Sequence, residues 1–159
     1  MDDGAAWVGW KEYGLAAMAA DLKSDGRTHY DAHAVVLNGS DIANAYLDND
    51  SSTDPFAMME GMTSCHTGWL KSAGMLLPMG HLISQGYAPV VGPQDDIESL
   101  RATITSFFNE NASIPESGTP YYSYSGAVKC LTEGVGDVAF AKDSTVASYC
   151  GNEDTTENA

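Results

Sequence analysis

The sequence predicts one α/β domain with a mainly parallel sheet. Three observations point to that class: strand-like and helix-like segments alternate along the chain, no segment repeats, and nothing marks a second domain. A chain of 159 residues buries roughly 70% of the surface that its unfolded form exposes, which supports a hydrophobic core. We therefore expect residues 1–150 to form the domain and residues 151–159 to form an acidic polar tail.

The first half of the chain contains one predicted helix and one predicted strand. Residues 15–22 are rich in alanine, which favours a helix, and residues 24–26 end it. Residues 30–37 have the composition of a strand, and Asn38-Gly39 predicts the turn after it. Residues 48–55 are acidic and polar, so we expect a loop there.

The second half contains three predicted helices and a short buried strand. Apolar residues recur near helical spacing over 72–83, although Pro78 is awkward inside a helix. A second amphipathic helix covers 97–107, with Asp95 and Asp96 at its start, where acidic side chains favour the helix dipole. Residues 124–131 look helical, and residues 136–140 predict a buried strand.

The charge of the chain limits its partners. Seven Lys and Arg against 22 Asp and Glu give a net charge of −15. Such a field repels nucleic-acid phosphates and anionic lipid surfaces, so we expect no nucleic-acid partner. It suits a cation ligand or a salty environment. No apolar run approaches the roughly 18 residues of a membrane span. Residues 1–4 lack a signal-peptide pattern, so we expect a fragment.

The cysteines leave two interpretations open. Cys65, Cys130 and Cys150 include no C-x-x-C pair, which disfavours a structural zinc site or a dithiol redox motif. Cys65 precedes His66, as a thiol nucleophile and its base would require. Neighbours on a strand point apart, however, and no third residue is evident to orient the histidine. A disulfide is therefore the favoured interpretation.

Residues 65–74 suit the binding of an anion. Thr67 supplies a hydroxyl donor, and Lys71 supplies one of the few positive charges. Backbone N–H groups at the start of a helix lack partners and favour negative charge. Small residues leave those groups open to a ligand: Gly68, Ser72, Ala73 and Gly74. The alternative is that these small residues only allow close packing.

Tyrosines cluster between residues 121 and 124. Such residues commonly pack with a hydrated hydroxyl. A phenolate is also a hard oxygen ligand, and Fe³⁺ selects oxygen donors of this kind. Tyr124, with Tyr30 and the Asp2 carboxylate, would form such a set, so packing and metal binding both remain open.

Three ordered motifs together resemble the transferrin family from residue 1 to about residue 146. Residues 65–74 are similar to the family pattern Cys-His-Thr-Gly-x-x-Arg-Ser/Thr-Ala-Gly, with Lys71 in place of the arginine. Residues 121–131 are similar to Tyr-x-Gly-Tyr-Ser/Thr-Gly-Ala-x-x-Cys-Leu, and residues 136–142 to Gly-Asp-Val-Ala-Phe-x-Lys. The resemblance implies a periplasmic-binding-protein-like (type II) fold and half of a transferrin lobe.

The resemblance also implies roles for individual residues. Those that match the family's iron ligands are Asp2, Tyr30 and Tyr124. Those that match its synergistic carbonate site are Thr67, Lys71, Ala73 and Gly74. Cys65 and Cys130 match a family disulfide, and Lys142 matches a lysine that in some lobes assists opening at low pH.

The implied function is the binding of ferric iron with carbonate for iron uptake or transport, without catalysis. The chain ends before the usual histidine ligand and the opposing half-lobe, which is an expected partner. Lys71 also cannot make the two-pronged contact of an arginine. We expect an extracellular or cell-surface parent protein, with a receptor or membrane anchor outside this chain. A solute-binding domain that captures phosphate or another anion without metal is the alternative.

Overall fold

The computed structural model describes residues 9–16, 18, 26–48 and 52–153. The predicted ligand Asp2, most of the predicted helix over 15–22 and the end of the predicted tail lie outside these ranges. Within them, no helix is both long enough and apolar enough to cross a bilayer.

Helices and short strands alternate along the described chain. The elements are β1 (Ala32–Val35), α1 (Asp41–Leu47), a 3₁₀ turn (Ala57–Met59), β2 (Ser64–Cys65), a π-helical turn (Ser72–Leu76), α2 (Leu77–Ser84), α3 (Ser99–Phe107), α4 (Ser123–Thr132), β3 (Val138–Lys142) and α5 (Thr145–Glu153). The strands predicted over 30–37 and 136–140 and the helix over 124–131 are confirmed, with shifted ends. Residues 151–153 belong to α5, so the expected tail does not begin at residue 151.

The three strands form a mixed sheet in the order β1-β3-β2. β2 is parallel to β3, with Cys65 opposite Ala139. β1 is antiparallel to β3 and pairs over four residues, from Ala32 opposite Lys142 to Val35 opposite Ala139. The sheet of the described strands is therefore not mainly parallel. Alternation of helices and strands predicts an α/β class, but it does not set the direction of a strand that pairs far along the chain.

The sheet separates two apolar clusters. Val138 and Phe140 of β3 face the larger cluster, which includes residues of α2 and α3. Ala139 faces a smaller cluster that contains Cys65 of β2 and Cys130 of α4. Successive residues of a strand point to opposite faces, so β3 is buried on both sides. The fold therefore has helices on both faces of a central strand.

Two helix starts differ from the sequence predictions. The segment predicted as one helix over 72–83 divides into the π-helical turn and α2, and Pro78 falls in the first turn of α2. A proline is tolerated there because its missing N–H is not needed. α3 begins at Ser99 rather than 97, and Ile97 is exposed. Asp96 Oδ1 accepts from the Glu98 N–H at 3.0 Å, which forms a turn before the helix.

Candidate anion and metal site

Three of the predicted site residues lie at one end of the sheet. β2 and β3 are parallel, so both end on the same side, which we call the carboxyl end. Thr67 lies two residues beyond β2, and Lys142 is the last residue of β3. β1 runs the other way, and its first residue, Ala32, pairs with Lys142. Tyr30, two residues before β1, therefore also lies at the carboxyl end.

Helix α4 brings the tyrosine motif to the same place. The Ser123 N–H donates to the Thr67 carbonyl at 2.9 Å, which joins the start of α4 to the segment after β2. Ser123 has φ of +80°, a conformation that L-residues rarely adopt. The next residue is Tyr124, whose ring centroid lies 5.2 Å from Lys142 Nζ. The structure therefore places Tyr124 and Lys142 together at the carboxyl end.

The turn after β2 contains two buried hydroxyls that need a partner. Thr67 is 1% exposed and Ser72 is 2% exposed. Among the described residues, neither Thr67 Oγ1 nor Ser72 Oγ has a hydrogen-bond partner. Leaving a buried polar group unpaired costs about 1–3 kcal/mol, so such groups in native proteins call for an explanation. A polar ligand bound between them would remove that cost.

The π-helical turn begins with backbone N–H groups that have no partner inside it. The first hydrogen bond of the π-helical turn runs from the Leu76 N–H to the Lys71 carbonyl at 3.0 Å. The amides of Ala73 and Gly74 precede it, where a helix start leaves N–H groups without a partner inside the helix. A Cβ atom on Gly74 would lie 1.8 Å from Thr67 Oγ1. The Thr67 hydroxyl therefore rests directly on the Gly74 backbone.

Lys71 supplies positive charge at the start of this turn. Its side chain is half-buried, and Nζ lies 5.7 Å from the ring centroid of Tyr122. The Tyr122 ring also covers Gly68, where a Cβ atom would meet Tyr122 Cε2 at 2.7 Å. Gly68 also has φ of +138°, a backbone conformation that favours glycine. Both the close Tyr122 ring and this conformation therefore require a residue without a side chain. We use the name anion pocket for the anion site that the sequence predicts at Thr67, Lys71, Ala73 and Gly74, together with Ser72.

A cleft next to the anion pocket contains Tyr124. Its volume is about 490 Å³. Its walls come from the start of α4, the end of β3 and the first turns of α5: Ser123, Tyr124, Ser125, Lys142, Thr145, Ser148 and Tyr149. The Thr145 hydroxyl is buried and has no hydrogen-bond partner among the described residues. We call this space the tyrosine cleft.

The segment that contains Tyr30 is tied to the end of β3. Arg27 lies 2.7 Å from Asp143 Oδ2 and 3.5 Å from Asp31 Oδ2. The Asp143 N–H donates to the Asp31 carbonyl at 3.0 Å. Tyr30 itself is half-buried. Within the described ranges, no three His, Cys, Asp or Glu side chains are grouped so that they could hold a metal ion.

A buried disulfide joins β2 to α4. Cys65 and Cys130 are bonded, with Cα atoms 6.1 Å apart, and both are fully buried. The disulfide that the resemblance implies is therefore confirmed. Because Cys65 has no free thiol, its interpretation as a nucleophile is wrong. Cys150 is free and exposed.

Sequence reasoning missed two residues of this region. The sequence suggests Ser72 only as a small residue, although its hydroxyl is buried and has no hydrogen-bond partner within the described ranges. His66 had only a catalytic interpretation, yet it is fully buried beneath the anion pocket. Its Nδ1 lies 2.9 Å from the Gly74 carbonyl oxygen and its Nε2 lies 2.9 Å from Ser64 Oγ. Burial lowers the pKa of His66 from 6.5 to about 4, so the ring is neutral at pH 7. The sequence did contain a signal, because Pro78 leaves the Gly74 carbonyl without its usual donor.

The fold and this geometry define an α/β domain with a candidate anion pocket at the carboxyl end of its sheet. The profile of the Transferrin family matches residues 1–119 and 109–158. The chain therefore belongs to the transferrin family.

Individual transferrins are similar over most of the chain. Lactotransferrin of Homo sapiens is 34% identical over 87% of this chain. Lactotransferrin of Camelus dromedarius is 32% identical over 92%, and serotransferrin of Bos taurus is 32% identical over 99%. The matches cover 21%, 22% and 24% of those proteins, respectively. The chain thus spans about a fifth to a quarter of the length of the curated relatives that it matches.

Proposed function

We propose that this chain binds ferric iron together with a carbonate anion, as part of a protein for iron uptake or transport. The observation that carries the proposal is the pair of buried hydroxyls of Thr67 and Ser72 near Lys71 in the sequence, neither of which has a hydrogen-bond partner in the described part of the chain. A small planar anion with several acceptor oxygens suits this combination of hydroxyls, backbone N–H groups and one cation. Family membership supports the same ligand.

Oxygen donors for iron complete the proposal. Tyr124 and Tyr30 both lie at the carboxyl end of the sheet, and each offers a phenolate oxygen. Asp2 is the proposed carboxylate ligand and lies outside the described residues. Fe³⁺ is a hard cation that prefers such donors over sulfur. In this site, Thr67, Lys71 and the amides of Ala73 and Gly74 hold carbonate, which supplies further oxygen ligands to the metal.

Lys142 is the proposed pH-sensitive residue. Its ammonium lies over the Tyr124 ring in the tyrosine cleft. A positive charge there is repelled by a bound cation. As the pH falls, the ligands of iron take up protons, and iron is released.

The domain is proposed to bind and not to catalyse. Capture of phosphate or another anion without metal is the second candidate, because the Thr67 and Ser72 hydroxyls, which are buried and unpaired among the described residues, and the Lys71 charge suit an anion without help from the tyrosines. The parent protein is proposed to work outside the cell or at its surface, and the Cys65–Cys130 disulfide suits an oxidising environment. An opposing half-lobe, and a receptor or membrane anchor, are the proposed partners.

Titration with Fe³⁺ separates the two candidates. We expect a visible phenolate-to-iron absorption band that requires bicarbonate. Iron binding should be readily reversed, because the proposed opposing half-lobe is not part of this chain. A chain that binds bicarbonate or phosphate but develops no band with Fe³⁺ is an anion-binding domain without metal.

A further inference from the structure

The Gly74 carbonyl cannot make its usual α-helical hydrogen bond, because residue 78 has no N–H. In an α-helix this carbonyl would accept the N–H of residue 78, four positions later. Residue 78 is a proline, which has no N–H and whose ring crowds the carbonyl four residues before it. Residues 72–76 form a π-helical turn instead, in which the Leu77 N–H donates to the Ser72 carbonyl. A donor to the Gly74 carbonyl lies outside the helix.

His66 supplies that donor. Nδ1 lies 2.9 Å from the Gly74 oxygen, and a carbonyl only accepts, so Nδ1 carries the proton. The ring is neutral, so Nε2 has a free lone pair and accepts from the Ser64 hydroxyl at 2.9 Å. Phe140 stacks on the ring at 5.3 Å and Phe108 meets it edge-on at 5.9 Å. Two hydrogen bonds and two aromatic contacts therefore fix the orientation of the His66 ring.

The histidine thereby connects the two halves of the anion pocket. It precedes Thr67 on the segment after β2, and its hydrogen bond reaches across to the turn that contains Ala73 and Gly74. The contact between Thr67 Oγ1 and the Gly74 backbone lies next to this bond. A shift of Gly74 away from His66 would also move its N–H relative to the Thr67 hydroxyl.

We propose that His66 is a positioning residue for the anion pocket: its Nδ1–H holds the Gly74 carbonyl that Pro78 cannot serve, and so fixes the Gly74 and Ala73 amides opposite Thr67. The proposal rests on the anion-binding half of the proposed function. It does not require that iron binds.

The native chain gives the first test. In nitrogen-15 spectra at pH 7, His66 should be neutral and protonated on Nδ1. Titration with bicarbonate in the absence of iron should shift the His66 Nδ1 signal and the Gly74 amide with the same apparent Kd. A neutral ring protonated on Nε2, or a Gly74 amide that responds while His66 does not, would overturn the proposal.

Two substitutions give the second test. His66→Asn places an amide N–H near the position of Nδ1, whereas His66→Gln reaches toward Ser64 instead. We expect His66→Asn to keep the bicarbonate Kd within about twofold and His66→Gln to weaken it about fivefold, the scale of one net hydrogen bond. Adding Pro78→Ala to His66→Gln returns a backbone donor and should recover most of the loss. Equal affinities for the two His66 variants would contradict the proposal.

If His66→Gln does not fold, the titration of the native chain still decides. Failure of the proposed iron binding is recognised separately, because the bicarbonate titration contains no Fe³⁺. If bicarbonate shifts neither the Gly74 amide nor His66, the pocket does not bind the anion, and both this proposal and the anion half of the function are wrong.

Discussion

Replacing Gly74 with alanine places a methyl group inside the anion pocket. The new Cβ would lie 1.8 Å from Thr67 Oγ1, 2.5 Å from Cγ2 and 2.6 Å from Cβ. Thr67 is 1% exposed, so a shift of its side chain away from the new methyl group would disturb its buried neighbours. Overpacking of a buried site costs typically 1–3 kcal/mol, and three close contacts with one side chain place Gly74→Ala near the upper end, at about 3 kcal/mol.

Gly80→Ala is the matched control. Gly80 lies in α2, is exposed, and has no atom within 4 Å of an added Cβ. Alanine in a helix interior is favoured over glycine, so this change should raise the free energy of unfolding by roughly 0.5–1 kcal/mol. Both variants replace a glycine with alanine, one at a buried and crowded position and the other at an exposed and open one.

Urea unfolding measures both effects. With a slope of about 2 kcal/mol per molar urea, Gly74→Ala should lower the midpoint by about 1.5 M, and Gly80→Ala should raise it slightly. Gly74→Ala should also abolish the bicarbonate response of the pocket. If Gly74→Ala unfolds at or above the midpoint of the unsubstituted chain, Thr67 does not rest on Gly74, and the pocket described here is wrong.

Three further predictions concern the same region. Reducing the Cys65–Cys130 disulfide, whose cysteines are 65 residues apart, should lower the free energy of unfolding by about 4 kcal/mol, measured by urea unfolding with and without reductant. Lys71→Arg should retain or tighten bicarbonate-dependent iron binding while Lys71→Ala weakens it; equal binding by both variants would remove Lys71 from the site. The pKa of His66 is about 4 in the folded chain and 6.5 as the ordinary value, so the unfolded chain binds a proton that the folded chain excludes. Stability should therefore fall by about 3 kcal/mol as the pH drops from 6.5 to 4, and a flat profile in that window would contradict the buried, neutral ring.

The sequence predicts those helices and strands whose composition and boundary residues are distinctive over a short segment. β3 and α4 were found because a short apolar run and a helical segment follow clear boundary residues. α5 was missed because serine, glycine and asparagine give its sequence little helix propensity, and packing against α4 stabilises it instead. The antiparallel direction of β1 depends on a pairing with β3 about a hundred residues away, which no local pattern reports.

In the candidate site, too, the sequence predicts what depends on neighbouring residues and not what depends on contacts made by the fold. Motif spacing predicts that Thr67, Lys71, Ala73 and Gly74 converge on one anion at a helix start. Ala73 and Gly74 lie in the π-helical turn that follows Lys71, and the convergence of all four residues on an anion remains a prediction. The role of His66 was not predicted, because it depends on which ring nitrogen carries the proton, and the fold sets this through Ser64 and Gly74. The convergence of Tyr30 with the other proposed ligands remains a prediction.

The visible spectrum of the iron-loaded chain tests the central claim most directly, with Tyr124→Phe compared to Tyr122→Phe. Both changes remove one phenolic hydroxyl within the same motif, and Tyr122→Phe keeps the ring that covers Gly68 and Lys71. We expect the bicarbonate-dependent band of Fe³⁺ to weaken and shift in Tyr124→Phe and to be unchanged in Tyr122→Phe. An unchanged band in Tyr124→Phe would show that Tyr124 is not a ligand, and would contradict iron binding at the carboxyl end of this sheet.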